Sequence, residues 1–483
     1  MPSSNNHTPA SSVRTRFAPS PTGFLHVGGI RTALFAYLVA KQANGKFVLR
    51  LEDTDQKREV AGSKEHLISS LKAIGITYDE GPDIGGPYGP YTQSERLEHY
   101  RRWAQKLIDA GLAYADPYTS EEVQKFREEA TANKKAFLYR HHRPENLPMW
   151  DGTQPLRFKS TPKSYTYHDE VMGDITTSPE VIDDIILIKS DGYPTYNFAH
   201  IVDDAEMEIT HVIRGQEFIS SMPNFLALYE AMEVPRPIFA HMPHILNEQG
   251  NKKLGKRDGA KDVLDYIRDG YLPEAMMSFI ATMGWNDGTE QEVFTKQELI
   301  DRFSLDRIQR SGARFDEKRL LWVNGHFIRE LSLDELYDKT EFFWGEAAKK
   351  APENYKKQVL ALAQDRLKTL KDLASLTNYF FEEPKQDWSL ITENKQLKKL
   401  ERDEITTILT SVHDALQQTE WQAEAIQDTL NQLLETTGQK PGVLFGLIRI
   451  VTTWAPFSPQ LNDTLALLGK EKTLNRIHSA INT

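Results

Sequence analysis

A chain of 483 residues exceeds what one hydrophobic core holds and divides into about three to five domains, with ample apolar content (39%, and 10% aromatic) to fill them. The absence of cysteine excludes disulfides and thiolate metal sites and suits a reducing cytoplasm. A net charge of −11 excludes a protein that coats nucleic acid indiscriminately through summed phosphate neutralisation, though not a basic stripe on an acidic body.

Residues 1–12 are polar, lack the apolar stretch of a signal peptide and read as a disordered tail; no later run is long and apolar enough to span a bilayer. VRTRFA (13–18) reads as a short strand stopped by Pro19 and Pro21, since proline has no ladder donor. From Gly29 the pattern turns helical, with Ile30, Ala33, Leu34, Tyr37 and Lys41 on one stripe, until Asn44 and Gly45 end it. KFVLRLED (46–53) is a buried-looking strand finishing in acids. Strand, helix, strand predicts a right-handed parallel unit. IILIKSDG (185–192) and EITHVIRGQE (208–217) repeat the theme of an apolar run ended by charge. Open parallel sheets bind ligands beyond the carboxyl ends of their strands, where Arg16, Glu52 and Arg214 would stand. Two cations and one anion there suit an amino acid with an acidic side chain.

APSPTGFLHVGG (18–29) joins the first strand to the helix. Helix N-terminal amides and the helix dipole favour an anion. Gly28 and Gly29 admit a phosphate or ribose close to the main chain, and His26 can donate to phosphate oxygens. The spacing matches neither the dinucleotide nor the P-loop pattern, and by itself it also reads as a tight turn. NKKLGKRDG (251–259) reads as a solvated charged loop or as a clamp for a leaving pyrophosphate, whose charge spreads over phosphate oxygens.

PSPTGFLHVGG (19–29) and KLGKR (253–257) resemble, in order, the two signatures of class I aminoacyl-tRNA synthetases. TRFAPSPTG, RLEDTD (50–55), SDGYPTYNFA (190–199), VIRGQE and GYLPEA (270–275) are similar to the bacterial glutamyl-tRNA synthetase family. The resemblance runs from about residue 13 to the C-terminus and implies an α/β fold. A Rossmann-like parallel-sheet catalytic domain (13–96 and 199–244) would carry an inserted α/β acceptor-binding domain (97–198). A stem-contact domain with the lysine signature loop (245–330) would follow, then an all-helical anticodon-binding region (331–483, two subdomains meeting near 395). It implies a glutamate-tRNA ligase working with ATP and Mg2+. Arg16 and Arg214 would hold the side-chain carboxylate of glutamate and Glu52 and Tyr196 its ammonium group, with Ala18 and Ser20 lining the same pocket. His26, Gly28, Gly29, Lys253, Lys256 and Arg257 would serve ATP, His26 and Lys256 catalytically. The partners implied are L-glutamate and tRNA(Glu), with tRNA(Gln) as a further candidate, for a cytoplasmic monomer that touches no membrane.

Four positions stand out against the family pattern: Gly255 replaces the usual serine of the lysine signature, His200 stands where relatives vary, and Gln216 and Phe218 replace other side chains. Zinc, held by cysteines in some members, is not expected here, and His141 with His142 reads as a solvated polar pair and not as a pair of metal ligands. The stretch 302–319, with six Lys or Arg against three Asp or Glu, reads either as a solvated mixed-charge face or as a phosphate contact. Beyond 331, Ser332 with Glu335 and Thr419 with Gln422 fit capping boxes. Val359, Leu362, Arg366, Leu370, Leu373 and Phe380 follow helical spacing, as do Ile405, Ile408, Val412, Ala415 and Leu416. The helical tail counts against a tRNA-modifying glutamyl transferase, which would lack it. The joint presence of His26, Lys256, Arg16 and Glu52 counts against an inactive tRNA-binding paralogue.

Overall fold

The computed structural model describes residues 12–255, 261–455 and 457–483. They form two compact units, one of the described residues up to Tyr266 with Met276–Asp316, the other of Ile267–Ala275 with Glu317–Thr483.

In the first unit, β1 (Arg14–Phe17) leads through the helix Val27–Gln42 to β2 (Lys46–Leu49), which pairs parallel to β1. The helix starts two residues before Gly29 because the His26 ring accepts the Gly28 N–H and caps it. The expected stripe is buried at Ile30, Ala33, Leu34 and Tyr37, and the Lys41 ammonium reaches Asp79 at 2.9 Å. Phe35, Ala36, Leu38 and Ala40 are buried as well, which makes this an interior helix, apolar nearly all round. Asn44 turns the chain with a φ of 52°. At Gly45 an added Cβ would lie 2.0 Å from the Val13 carbonyl oxygen, so the return to β2 admits no side chain.

Further strands follow, β3 (Ala113–Ala115), β4 (Leu156–Phe158), β5 (Thr166–Asp169), β6 (Gly173–Thr176), β7 (Ile186–Ile188), β8 (His211–Gly215) and β9 (Ile238–Met242), and the short segments Ile245–Leu246 and Ala313–Arg314 pair in a small parallel sheet of their own. The main sheet runs β2-β1-β8-β9-β5-β6, parallel throughout except for the antiparallel pair β5 and β6. β5 and β6 lie within the stretch read as the insertion, yet they extend this sheet through Asp169 beside Phe239. IILIKSDG requires a correction: its strand β7 pairs antiparallel with β4 in a separate sheet of β3, β4 and β7. An apolar run ended by charge states that a strand is buried, not which strand it will pair with. His142 stacks on Phe126 with ring centroids 4.1 Å apart.

The second unit is helical. Ser332 and Glu335 form the expected reciprocal cap. Thr419 and Gln422 do not: Thr419 follows the helix Arg402–Gln418 and its hydroxyl donates back to the Ala415 carbonyl at 2.9 Å, while Gln422 precedes Ala423–Thr437 without a side-chain cap. The stripe from Val359 to Phe380 is likewise two helices, Glu353–Ala363 and Asp372–Phe381. The chain breaks where the Asp372 carboxylate takes the N–H groups of Lys368 and Thr369, a local bond that competes with helix continuation. Ile405, Ile408, Val412 and Leu416 enter a core that runs from Ile391 to Ala480. Among the described residues no helix is long and apolar enough to cross a membrane.

Forcing a methyl group against the Val13 carbonyl makes Gly45→Ala an overpacking change, expected to remove about 1–3 kcal/mol of stability. The thermal midpoint should fall; an unchanged midpoint would show that the β1–β2 turn has another way to close.

Candidate active site

A cavity of about 930 Å³ opens where β1 and β8 end. Arg16, Ala18, Ser20, Gly29, Glu52, Tyr196 and Arg214 all line it, and Asp53, Asp55, Lys57, Arg58, Lys189 and Asp191 continue its wall. Seven residues singled out from the sequence thus share one mouth.

Beneath it lies a buried chain of charges. Arg16 Nε and Nη2 donate to the two carboxylate oxygens of Asp204 at 3.2 and 3.4 Å. Asp204 also accepts from Arg50 Nη1 at 2.8 Å, and Arg50 Nη2 donates to Glu52 at 2.9 Å. Asp203 anchors the far side, accepting from Arg96, Gln93 and Tyr100. Arg50 is completely buried. Burial alone would raise the Asp204 carboxyl, but Arg16 and Arg50 outweigh it and hold the group well below the usual aspartate range. For Glu52 burial prevails over the pull of Arg50 and Arg16, and its carboxyl is raised.

The helix Tyr196–Glu206 supplies three side chains at successive turns, Tyr196, His200 and Asp204. Burial pushes the Tyr196 hydroxyl up to about 12. It also drives His200 down to about 3. His200 stacks on Tyr196 at 4.6 Å, and its Nδ1 lies 2.7 Å from the Tyr196 carbonyl oxygen. A carbonyl only accepts, so Nδ1 carries the proton.

Arg214 is held differently. Its Nε donates to His241 Nε2 at 3.1 Å and its Nη2 lies 2.8 Å from Met222 Sδ, with Phe218 and Phe225 each 5.0 Å from the guanidinium carbon. Its Nη1 is buried and has no hydrogen-bond partner among the described residues.

Of the residues expected to serve ATP, Gly29 lines the cavity, whereas His26 and Gly28 stand beside it at the helix start. Gly28 N–H donates to His26 Nδ1 at 3.0 Å, which in the neutral ring leaves the proton on Nε2. A Cβ on Gly28 would sit 2.9 Å from that ring. His26 bridges Asp262 in the backbone, so the chain returns to the first signature just after the second. Lys253 pairs with Leu246 in the backbone, and its ammonium lies 3.6 Å from Glu217. Lys256 and Arg257 lie outside the described residues.

A model for the catalytic domain of class I tRNA synthetases (E and Q) matches residues 12–322, and one for an anticodon binding domain matches 333–481. The chain belongs to the class I tRNA synthetases of the glutamate and glutamine type. It is 40% identical to glutamate–tRNA ligases of Chloroflexus aurantiacus and Clostridium botulinum, over 97% of this chain and 97% and 98% of theirs. It also resembles the crystal structure of a glutamate tRNA ligase from Elizabethkingia meningosepticum in complex with its amino acid, with a TM-score of 0.86 and 32% identity over 98% of this chain and all of that one. The glutamate–tRNA synthetase from Elizabethkingia anophelis is similar, with a TM-score of 0.84 and 32% identity at the same coverage.

In this synthetase the sequence reading missed Arg50, Asp204, Asp169 and His241. Asp204 had a signal, because Tyr196, His200 and Asp204 recur at four-residue spacing and so share a helix face with the tyrosine already chosen. His241 sits inside the apolar run IFAHM, where an uncharged ring is an ordinary core occupant.

Asp204→Asn would leave Arg16 and Arg50 short of a counter-charge, and breaking a buried pair in this way costs about 3–5 kcal/mol. Because the folded carboxyl titrates below an unfolded aspartate, its stabilisation is complete above the ordinary aspartate range and fades as pH falls below it. D204N should therefore unfold more easily at pH 7 and show a flatter loss of stability in acid. Equal midpoints for both proteins at pH 7 would overturn this account of the charge chain.

Proposed function

We infer that the chain is a glutamate–tRNA ligase, joining L-glutamate to the 3′-terminal adenosine of tRNA with ATP. The observation that carries the reading is the pairing of Arg16 and Arg214 on one cavity wall, with a buried guanidinium N–H of Arg214 lacking an acceptor. A buried charged donor left unpaired is costly, and a substrate carboxylate would relieve that cost. Neutral glutamine would leave Arg214, which has no acid in direct contact, without an anion, which is how a polar site rejects a near-isostere. Glu52 and Tyr196 face the same space and would receive the α-ammonium group, with Ala18 and Ser20 shaping the wall.

The reaction has two steps. The α-carboxylate of glutamate attacks the α-phosphorus of ATP, pyrophosphate leaves, and glutamyl-adenylate remains. The 2′-hydroxyl of the terminal adenosine then attacks the activated carbonyl, and AMP departs with the electron pair of the broken bond. No enzyme nucleophile is needed, so the chain contributes orientation and charge placement. His26, with its Nε2–H, and Lys256 would strengthen their contacts as charge moves onto phosphate oxygens. Gly28 and Gly29 would let the nucleotide approach the helix start, assisted by Lys253 and Arg257. Among the described residues no group of three or more histidine, aspartate or glutamate side chains could hold a metal ion, so magnesium would come on the ATP phosphates. The enzyme would act in the cytoplasm, as a monomer.

A separate cleft in the helical unit suits the tRNA. It encloses about 550 Å³ and is lined by Arg366, Lys368, Arg449 and Phe457 among others. Burial, then the neighbouring Arg366, lowers the Arg449 guanidinium from its ordinary value, and the acid on its wall, Asp372, is engaged by the Lys368 and Thr369 N–H groups. Phe457 is 71% exposed and offers a face on which an unpaired base could stack.

Purified tRNA(Glu) and tRNA(Gln) incubated with ATP, magnesium and labelled amino acid should accept glutamate and not glutamine. The tRNA that is charged reveals whether the enzyme discriminates between them, and no glutamate transfer to either would refute the ligase reading. Arg449→Ala should weaken tRNA binding about tenfold, on the scale of one lost charged contact, leave glutamate KM unchanged, and lose less at high salt. Unchanged tRNA affinity at low salt would remove the cleft from the tRNA surface.

A further inference from the structure

We propose that His241 and Asp169 are positioning residues for glutamate binding, acting through Arg214. The proposal rests on the reading of Arg214 as a carboxylate-binding group and explains how that group is aimed.

All three side chains are at least 95% enclosed, with His241 and Asp169 fully buried and Arg214 5% exposed. They come from three adjacent strands, β8, β9 and β5. The His241 Nδ1 lies 2.6 Å from Asp169 Oδ2. Asp169 itself cannot turn: its Oδ1 accepts the N–H groups of Val171 at 3.1 Å and Met172 at 2.9 Å, and both oxygens lie 3.2 Å from the His241 N–H. A carboxylate facing Nδ1 fixes the ring proton there and leaves Nε2 with its lone pair. That lone pair is the acceptor for Arg214 Nε–H at 3.1 Å. The guanidinium is thereby locked through Nε, with Nη2 against Met222 and Nη1 left over.

The two arginines of the pocket differ in this respect. Arg16 meets its acid directly through Asp204, whereas Arg214 meets Asp169 only across an imidazole. The ring supplies an acceptor without a charge and sets the acid one side chain further away. Coulomb attraction falls with distance, so Arg214 keeps more of its field for a substrate carboxylate than a direct aspartate would allow. A role confined to core packing gives no reason for this tautomer or for an acid behind the ring.

The test compares His241→Phe, His241→Gln, Asp169→Asn and Arg214→Ala with the wild type. Thermal midpoints and steady-state constants for glutamate, ATP and tRNA are measured for each. H241F keeps the ring and loses the acceptor. It should raise glutamate KM about tenfold, the scale of one charged hydrogen bond, with kcat and ATP KM within about threefold. H241Q, whose side-chain oxygen can accept from Nε, should recover part of that loss. D169N should raise glutamate KM as well, by releasing the tautomer, and carries the same test if H241F does not fold. Glutamate KM within twofold of wild type in both H241F and D169N, while R214A raises it, overturns the relay alone. Parallel losses in kcat, ATP KM and glutamate KM reduce the pair to structural support and also overturn it. An R214A enzyme with unchanged glutamate KM removes the carboxylate pocket itself, and the relay with it.

Discussion

Two guanidinium groups must be kept charged, still and almost dry at the end of one sheet, and the rest of the catalytic unit is arranged around that demand. Removing a charge from water costs several kcal/mol unless its partners repay it. Arg16 is repaid by Asp204, but Asp204 lies close to Glu52 and Asp203, and three buried acids would repel one another. Arg50, wholly enclosed, ties them together. That is why an arginine occupies a position in the buried RLED run where its strand neighbours are apolar. The pocket is thus the exposed end of an ionic lattice, with Arg16 and Glu52 at the cavity and Arg50, Asp203 and Asp204 buried beneath it.

The strand order follows from the same need. β1 brings Arg16, β8 brings Arg214, β9 brings His241, and β5 brings Asp169. Asp169 belongs to a stretch that, by chain position, looks like an insertion between the two halves of the sheet. It nevertheless supplies the acid behind Arg214, and the backbone bond from Glu170 N–H to the Phe239 carbonyl holds it there. The helix Tyr196–Glu206 serves the other arm, with Tyr196 at the cavity and Asp204 beneath it on the same face.

Much of this was legible before any fold was known, because the signals were local. Strands ended by charge located Arg16, Glu52 and Arg214; proline and paired glycines marked the strand-to-helix junction; the tail read as helix upon helix. What stayed hidden was the identity of partners. Charge at the end of IILIKSDG is real, and Lys189 does line the cavity, but strand pairing depends on residues far along the chain and placed β7 in another sheet. Thr419 and Gln422 have the spacing of a capping box, yet spacing cannot tell a helix start from the end of the helix before it. Arg50 and His241 were invisible for a related reason. Each is a polar residue in an apolar setting, and only the neighbour that satisfies it distinguishes a working group from a filler.

Three histidines around the cavity sharpen this point, for each has its ring oriented by a different kind of neighbour. A backbone N–H makes His26 Nδ1 an acceptor, a backbone carbonyl makes His200 Nδ1 a donor, and a carboxylate does the same for His241. Burial holds His200 and His241 below the ordinary histidine range, even though Asp169 pulls His241 the other way. These two rings therefore contribute direction rather than charge. The net positive field that would distinguish an acid from its amide is left to arginine, a side chain that keeps its proton in proteins. A site built in this way would select by a charge that does not vary near neutral pH, with the neutral His241 ring fixing where the Arg214 guanidinium points.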